Sequence, residues 1–218
     1  MALFAFIHGA GDVGWYWHLV EAELRARGHD VVAPGLPCED DSAGLNEYTN
    51  AVVESIGDRS DLVVVAQSFG AFVAPLVADR LPTEVLVLVA GMIPAPGEAP
   101  EDWVANTGLM DAKRDQPASD DPYELFYHDV PRTLAEEAMS RERRQSSTPG
   151  LAPWPLAAWP DVPTKFVLCT EDRLFPAEFF RRLVAERLGV VPDEIEAGHC
   201  VALSRPKELA GLLTSYIA

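Results

Sequence analysis

Three polar residues of this chain stand where nucleophilic chemistry would need them. Ser68 follows the apolar run Leu62 to Ala66 and Gln67, Asp172 follows the run Lys165 to Cys169, and His199 follows the short run Glu194 to Glu196. A serine hydroxyl is a poor nucleophile until a neutral imidazole takes its proton, and a carboxylate holds that imidazole in the right tautomer. Each residue also has a plainer reading: a helix-capping serine, an acidic turn residue, a loop histidine. Their joint placement after strand-like runs, in the order Ser, Asp, His, favours the catalytic one. Glu171 is the rival for the acid; the shorter Asp172 holds a histidine with less freedom.

The surroundings of Ser68 strengthen the case. Ala66 and Gly70 flank it at the positions of the glycines in Gly-x-Ser-x-Gly, where a strand turns sharply into a helix and a neighbouring backbone passes close by. A serine at a helix N-terminus sits among unpaired N–H groups that favour an oxyanion. The expected oxyanion donors are the backbone N–H of Phe69 and one from the turn at Gly9 and Ala10.

Positioning these groups requires alternating strands and helices. Leu3 to Ile7 reads as a doubly covered strand, and helical spacing of Trp15, Leu19, Ala22 and Ala26 ends at Gly28. A strand at 29–33, a helix at 45–56 and the strand before Ser68 come next. A helix is expected from Phe69 to about Arg80 with Pro75 inside it, at a cost of about 3 kcal/mol unless it bends. Val85 to Ala90 is a further strand. The segment from about 92 to 161 changes character, with prolines, charges and scattered aromatics, and reads as an inserted, mostly helical cap with pieces at 100–108, 122–128 and 131–144. Alternation resumes with Lys165 to Cys169, a helix between Pro176 and Gly189, a strand at 194–196 and a final helix presenting Leu209, Leu212, Leu213 and Tyr216 on one face. The expectation is a single α/β domain over 1–218, a doubly wound, mostly parallel sheet with its core at 1–91 and 162–218. Chemistry in such sheets sits at the carboxyl ends of the strands.

Composition narrows the function. A net charge of -17, from 34 acidic and 17 basic residues, disfavours nucleic acid and anionic membrane partners. Three cysteines, Cys38, Cys169 and Cys200, make no C-x-x-C pair, so neither a disulfide framework nor a structural zinc is expected, and the setting reads as reducing and cytoplasmic. The first residues read as a core strand and not as a signal peptide, and no run is long enough to span a membrane. No metal-ligand spacing and no Gly-x-Gly-x-x-Gly after a strand is present, so no metal and no cofactor is expected. Among the remaining histidines, His8 is expected to shape the turn at Gly9.

With these residues in view, the chain resembles the α/β-hydrolase superfamily, and within it the compact methylesterase and hydroxynitrile-lyase branch. The likeness runs through His8-Gly9-Ala10-Gly11, Gly14-Trp15-Tyr16-Trp17, Gln67-Ser68-Phe69-Gly70, Glu171 to Pro176, and Gly198 to Pro206. It implies a Ser68–Asp172–His199 triad, a small hydrophobic or aromatic ester as substrate and, since members often pair, a homodimer. Lyases of the plant type carry a threonine after the first histidine and a lysine after the catalytic one; here Gly9 and Cys200 stand there, which favours ester hydrolysis. A C–C lyase and a non-catalytic ligand receptor on the same fold are the alternatives. Met92, Trp103, Phe126, Tyr127 and Trp154 are the expected pocket walls, an apolar lining that suits such an ester; the same aromatics would equally form the core of the cap.

Overall fold

The computed structural model describes residues 1–114 and 119–217. Six strands, β1 (Leu3–Ile7), β2 (Asp30–Val32), β3 (Leu62–Gln67), β4 (Thr83–Val89), β5 (Thr164–Cys169) and β6 (Asp193–Ile195), form one sheet in the order β2-β1-β3-β4-β5-β6. Every described pairing is parallel. Parallel strands need crossovers that leave helices on both faces, so central strands become continuously apolar. β1 and β3 are buried along their whole length.

Two helix groups cover the sheet. α1 (His18–Ala26) packs with α10 (Val201–Ser204) and α11 (Pro206–Ser215), while α2 (Leu45–Ile56) packs on α3 (Ala74–Arg80). α9 (Ala177–Leu188) lies against β5 and ends at Gly189 in the left-handed conformation, the C-cap that the glycine marks in the sequence. On α11, Leu209 and Leu213 are fully buried, whereas Leu212 and Tyr216 are only partly so.

The helix expected from Phe69 to Arg80 is two elements. A 3-10 turn over Ser68–Phe72 is followed by α3, which places Pro75 in the first helical turn. A first-turn N–H has no intrahelical partner to lose, so the proline costs little there. Periodicity alone does not reveal the break, because 3-10 and α turns present apolar residues at nearly the same spacing.

Between β4 and β5 lie α4 (Trp103–Thr107), α5 (Leu109–Ala112), α6 (Pro122–Phe126), α7 (Arg132–Arg141) and α8 (Thr148–Leu151). α5 and α8 are single turns without a readable period. Buried indoles fasten this segment: Trp103 Nε1 donates within it to the Ile93 carbonyl at 2.8 Å, and Trp154 Nε1 ties it to the turn after β3 through the Phe72 carbonyl at 3.0 Å. A bidentate pair between Arg187 of α9 and Glu98 (2.6 and 2.9 Å) adds a second tie.

Candidate active site

The chain runs from β1 outward to β2 and then returns to β3 on the other side of β1, so the order reverses between β1 and β3. A crevice opens at such a reversal, beyond the carboxyl ends of the two strands. Those ends carry the turn at Gly9 and Ala10 and Ser68, and both line a cavity of about 300 Å³.

Ser68 sits at φ 50°, in the left-handed region that a non-glycine residue rarely enters. The turn is tight because the backbone of β1 lies against it: a Cβ on Gly70 would stand 2.6 Å from the His8 carbonyl oxygen. Ser68 is 9% exposed and its hydroxyl makes no hydrogen bond to any described residue. The Phe69 N–H, in the first 3-10 turn, has no carbonyl within that turn, and the Ala10 N–H has no described partner. Both residues border the cavity.

His8 fastens the turn after β1. Its Nδ1–H donates to the Gly9 carbonyl at 2.9 Å and its Nε2 accepts the Leu36 N–H at 3.0 Å. Burial pushes this imidazole down to about 4, against the Gly9 hydrogen bond, which keeps it neutral and able to accept.

Asp172 and His199 meet across the loops after β5 and β6. His199 Nδ1 lies 2.7 Å from Asp172 Oδ2, while Asp172 Oδ1 accepts the N–H groups of Leu174 (2.7 Å) and Phe175 (3.1 Å). The carboxylate is thus clamped in one orientation. Glu171, the rival acid, is exposed, and its backbone carbonyl accepts from His128 Nε2 at 3.0 Å. Asp129 in turn accepts the Gly198 N–H at 2.8 Å. The stretch at 128–129 therefore braces both loops.

The imidazole stands between the rings of Phe126 and Phe175, with centroids at 5.6 and 5.4 Å. Its Nε2 lies 2.8 Å from Gln67 Nε2, so with Nδ1–H facing Asp172 the Gln67 amide donates to the Nε2 lone pair. Ser68, Gln67 and His199 share the cavity wall.

Of the expected walls, Met92, Phe126 and Tyr127 border the cavity. Trp103 and Trp154 do not: they are 0% and 2% exposed, Trp103 packed edge-on against Phe175 and Phe179 and Trp154 stacked with Trp159. Large aromatics supply core area as readily as pocket walls, and their indole N–H groups found backbone partners in the interior. The sequence reading missed Gln67, Asp12, Glu142, Leu174, Phe175 and Cys200 as lining residues. Gln67 had a signal, being the one polar residue of the strand before Ser68; Glu142, inside the charged run Arg141-Glu142-Arg143-Arg144, had none. Among the described residues no group of three His, Cys, Asp or Glu side chains is disposed to hold a metal, and no helix is long and apolar enough to cross a membrane.

The model of the alpha/beta hydrolase family matches residues 4–212. Norfluorocurarine synthase 1 of a Strychnos species is 25% identical over 94% of this chain and 91% of its own, and methylesterase 7 of Arabidopsis thaliana is 26% identical over 96% and 94%. The crystal structure of polyneuridine aldehyde esterase superposes with a TM-score of 0.82 over the whole of both chains at 20% identity.

Proposed function

The chain belongs to the alpha/beta hydrolase family, and on that premise we propose that it is a carboxylic ester hydrolase working through an acyl-enzyme on Ser68. The observation that carries this reading is the convergence of Ser68, held at φ 50°, with His199, anchored 2.7 Å from Asp172, on one cavity. Similarity to proteins named methylesterase and polyneuridine aldehyde esterase supports it.

In this mechanism the Gln67 amide yields the Nε2 lone pair of His199 when substrate enters. His199 takes the Ser68 proton as Oγ attacks the ester carbonyl carbon. The oxyanion is received by the N–H groups of Phe69 and Ala10, with Gly9 leaving room for the carbonyl. Asp172 keeps the imidazole oriented and stabilises it while charged. Collapse expels the alcohol, which takes its proton from His199, and a water activated by the same imidazole releases the acid. Phe126, Met92 and Tyr127 contribute to an apolar wall suited to a small hydrophobic or aromatic ester.

Two features count against the C–C lyase. A threonine in place of Gly9 would set its Cβ 2.5 Å from Gln67 Oε1. Cys200 stands where the lysine would be: a thiol has no cationic form, and burial, aided by Asp12, Asp172 and other nearby acids, drives it well above its ordinary value and keeps it neutral, so it offers no positive charge to a departing anion. Against a pure receptor stands the strain at Ser68, which binding alone does not need. Three unpaired buried cysteines are in keeping with a reducing, cytoplasmic setting.

The test is hydrolysis of p-nitrophenyl esters of increasing chain length by wild type and Ser68→Ala at equal concentration. The expected result is turnover of short esters that falls at least a thousandfold in the variant; equal rates in the two proteins would overturn the proposal.

A further inference from the structure

The cavity beside Ser68 has two unlike walls. One is apolar, built from Phe69, Met92, Phe126, Leu174 and Phe175. The other carries two carboxyl groups, Asp12 from the turn after β1 and Glu142 from the end of α7. Asp12 is partly buried and its Oδ1 accepts only the N–H of its neighbour Val13 at 2.8 Å. Glu142 is exposed at the rim, where Tyr127 donates to it at 2.7 Å.

Neither acid has a cationic partner among the described residues, and no lysine or arginine lines the cavity. The arginines beside Glu142 are engaged elsewhere. Arg141 pairs with Glu137 and lies over the Trp15 ring, Arg143 pairs with Glu39, and Arg144 with Asp41. A carboxyl drawn partly out of water, as Asp12 is, ordinarily brings a counter-charge with it, and here the exposed Glu142 adds a second acid at the rim instead. Both acids border the same cavity as Ser68, whose hydroxyl makes no hydrogen bond to a described residue, so they face the space beside that serine.

We propose that the substrate supplies the missing charge: the preferred ester carries a cationic nitrogen, held against Asp12 and Glu142, with its apolar part on the opposite wall. This rests on the esterase reading of the same site and narrows its substrate class. The pair suits a tertiary or quaternary ammonium group, because one carboxylate at the base and one at the rim can flank a bulky cation without a fixed hydrogen-bond geometry.

The protonation of Asp12 supports the assignment. Burial and the neighbouring Glu142 push its carboxyl up to about 7, against the Val13 hydrogen bond and His199. Tyr127 and the Cys200 thiol, which also border this space, stay neutral because burial drives both upward. A bound cation favours the ionised carboxyl, so binding at pH 7 releases up to about half a proton per site.

The experiment uses choline and its neutral isostere 3,3-dimethylbutan-1-ol as ligands in calorimetry, and acetylcholine and 3,3-dimethylbutyl acetate as the matching esters. Choline is expected to bind at least tenfold more tightly than the alcohol, with proton release at pH 7, and the ratio is expected to fall at least fivefold in Asp12→Asn and in Glu142→Gln. The kcat/KM ratio of the two esters follows the same pattern. Equal binding of the two ligands by wild type, which needs no variant to fold, would overturn the proposal, as would a choline preference that survives in the double variant. Hydrolysis of p-nitrophenyl acetate separates the two claims. Serine-dependent turnover without cation preference removes the subsite and leaves the esterase, whereas acid-dependent choline binding without turnover of any ester keeps the subsite and removes the esterase.

Discussion

Glu98 and Asp12 are both carboxyl groups drawn into the protein, and their surroundings are opposite. Glu98, 8% exposed, receives a bidentate guanidinium from Arg187 and an amide from Asn106 (3.0 Å). Burial raises its carboxyl, but those partners outweigh burial and hold it below the usual range. Asp12 has one neighbouring N–H and faces a second acid, and its carboxyl rises to about 7. A balanced buried charge belongs to the scaffold; an unbalanced one lowers stability and persists where a ligand completes it. The first joins the inserted segment to α9, while the second borders the cavity of Ser68.

The sharpest way to break this contrast is Glu98→Ala. It leaves the Arg187 guanidinium, 16% exposed, without its counter-charge and with only the Ile93 carbonyl as acceptor, and a loss of about 3 to 5 kcal/mol in urea denaturation is expected. Adding Arg187→Met should recover much of that loss; if the single and double variants are equally unstable, the pair is not what joins the two regions.

Asp12→Asn should move stability the other way. A carboxyl raised from 3.8 to about 7 is protonated in folded and unfolded chains below pH 3.8, so it costs nothing there. The cost grows as pH rises toward 7 and is complete above it. The ligand-free variant is therefore expected to be more stable than wild type by on the order of 4 kcal/mol at pH 8 and by less than half of that at pH 5. His8 titrates in the opposite sense: pushed down to about 4, it withdraws stability as pH falls from 6.5. Removing Asp12 removes the opposing titration, so the variant should lose stability more steeply than wild type between pH 6.5 and 4.5. Parallel pH profiles would show that Asp12 is ordinary in the folded state.

At the small end stands Glu136→Ala, which removes an exposed pair with Arg132 four residues away on α7. No measurable change in the denaturation midpoint is expected, since water and salt already screen such pairs. A shift as large as that of Asp12→Asn would mean that burial does not separate the two kinds of acid.

Much of this was legible in the chain. The strands before Ser68 and Asp172 stood out because a parallel strand covered on both faces must be apolar throughout, and Gly189 marked a helix end because the left-handed cap suits glycine. Asp172 was separable from Glu171 only by a preference for the shorter side chain, whereas in space Asp172 is buried against His199 and Glu171 is exposed, with only its backbone carbonyl engaged, by His128. Trp103 and Trp154 were misread for the opposite reason: nothing local tells an aromatic that fills a core from one that lines a pocket.

The sequence by itself determined the alternation of strands and helices, the sharp turn at Ser68 and the placement of Ser68, Asp172 and His199 after successive strands, because period, turn chemistry and residue type act over a few neighbours. Only the tertiary structure decided which groups share the cavity. Asp12 and Glu142 lie 130 positions apart, as do Gln67 and His199 by 132. Whether a glutamine meets an imidazole depends on how the strands order in the sheet, and whether Glu98 meets Arg187 or Glu142 faces Asp12 depends on how the segment between β4 and β5 folds back; burial then fixes what each encounter is worth.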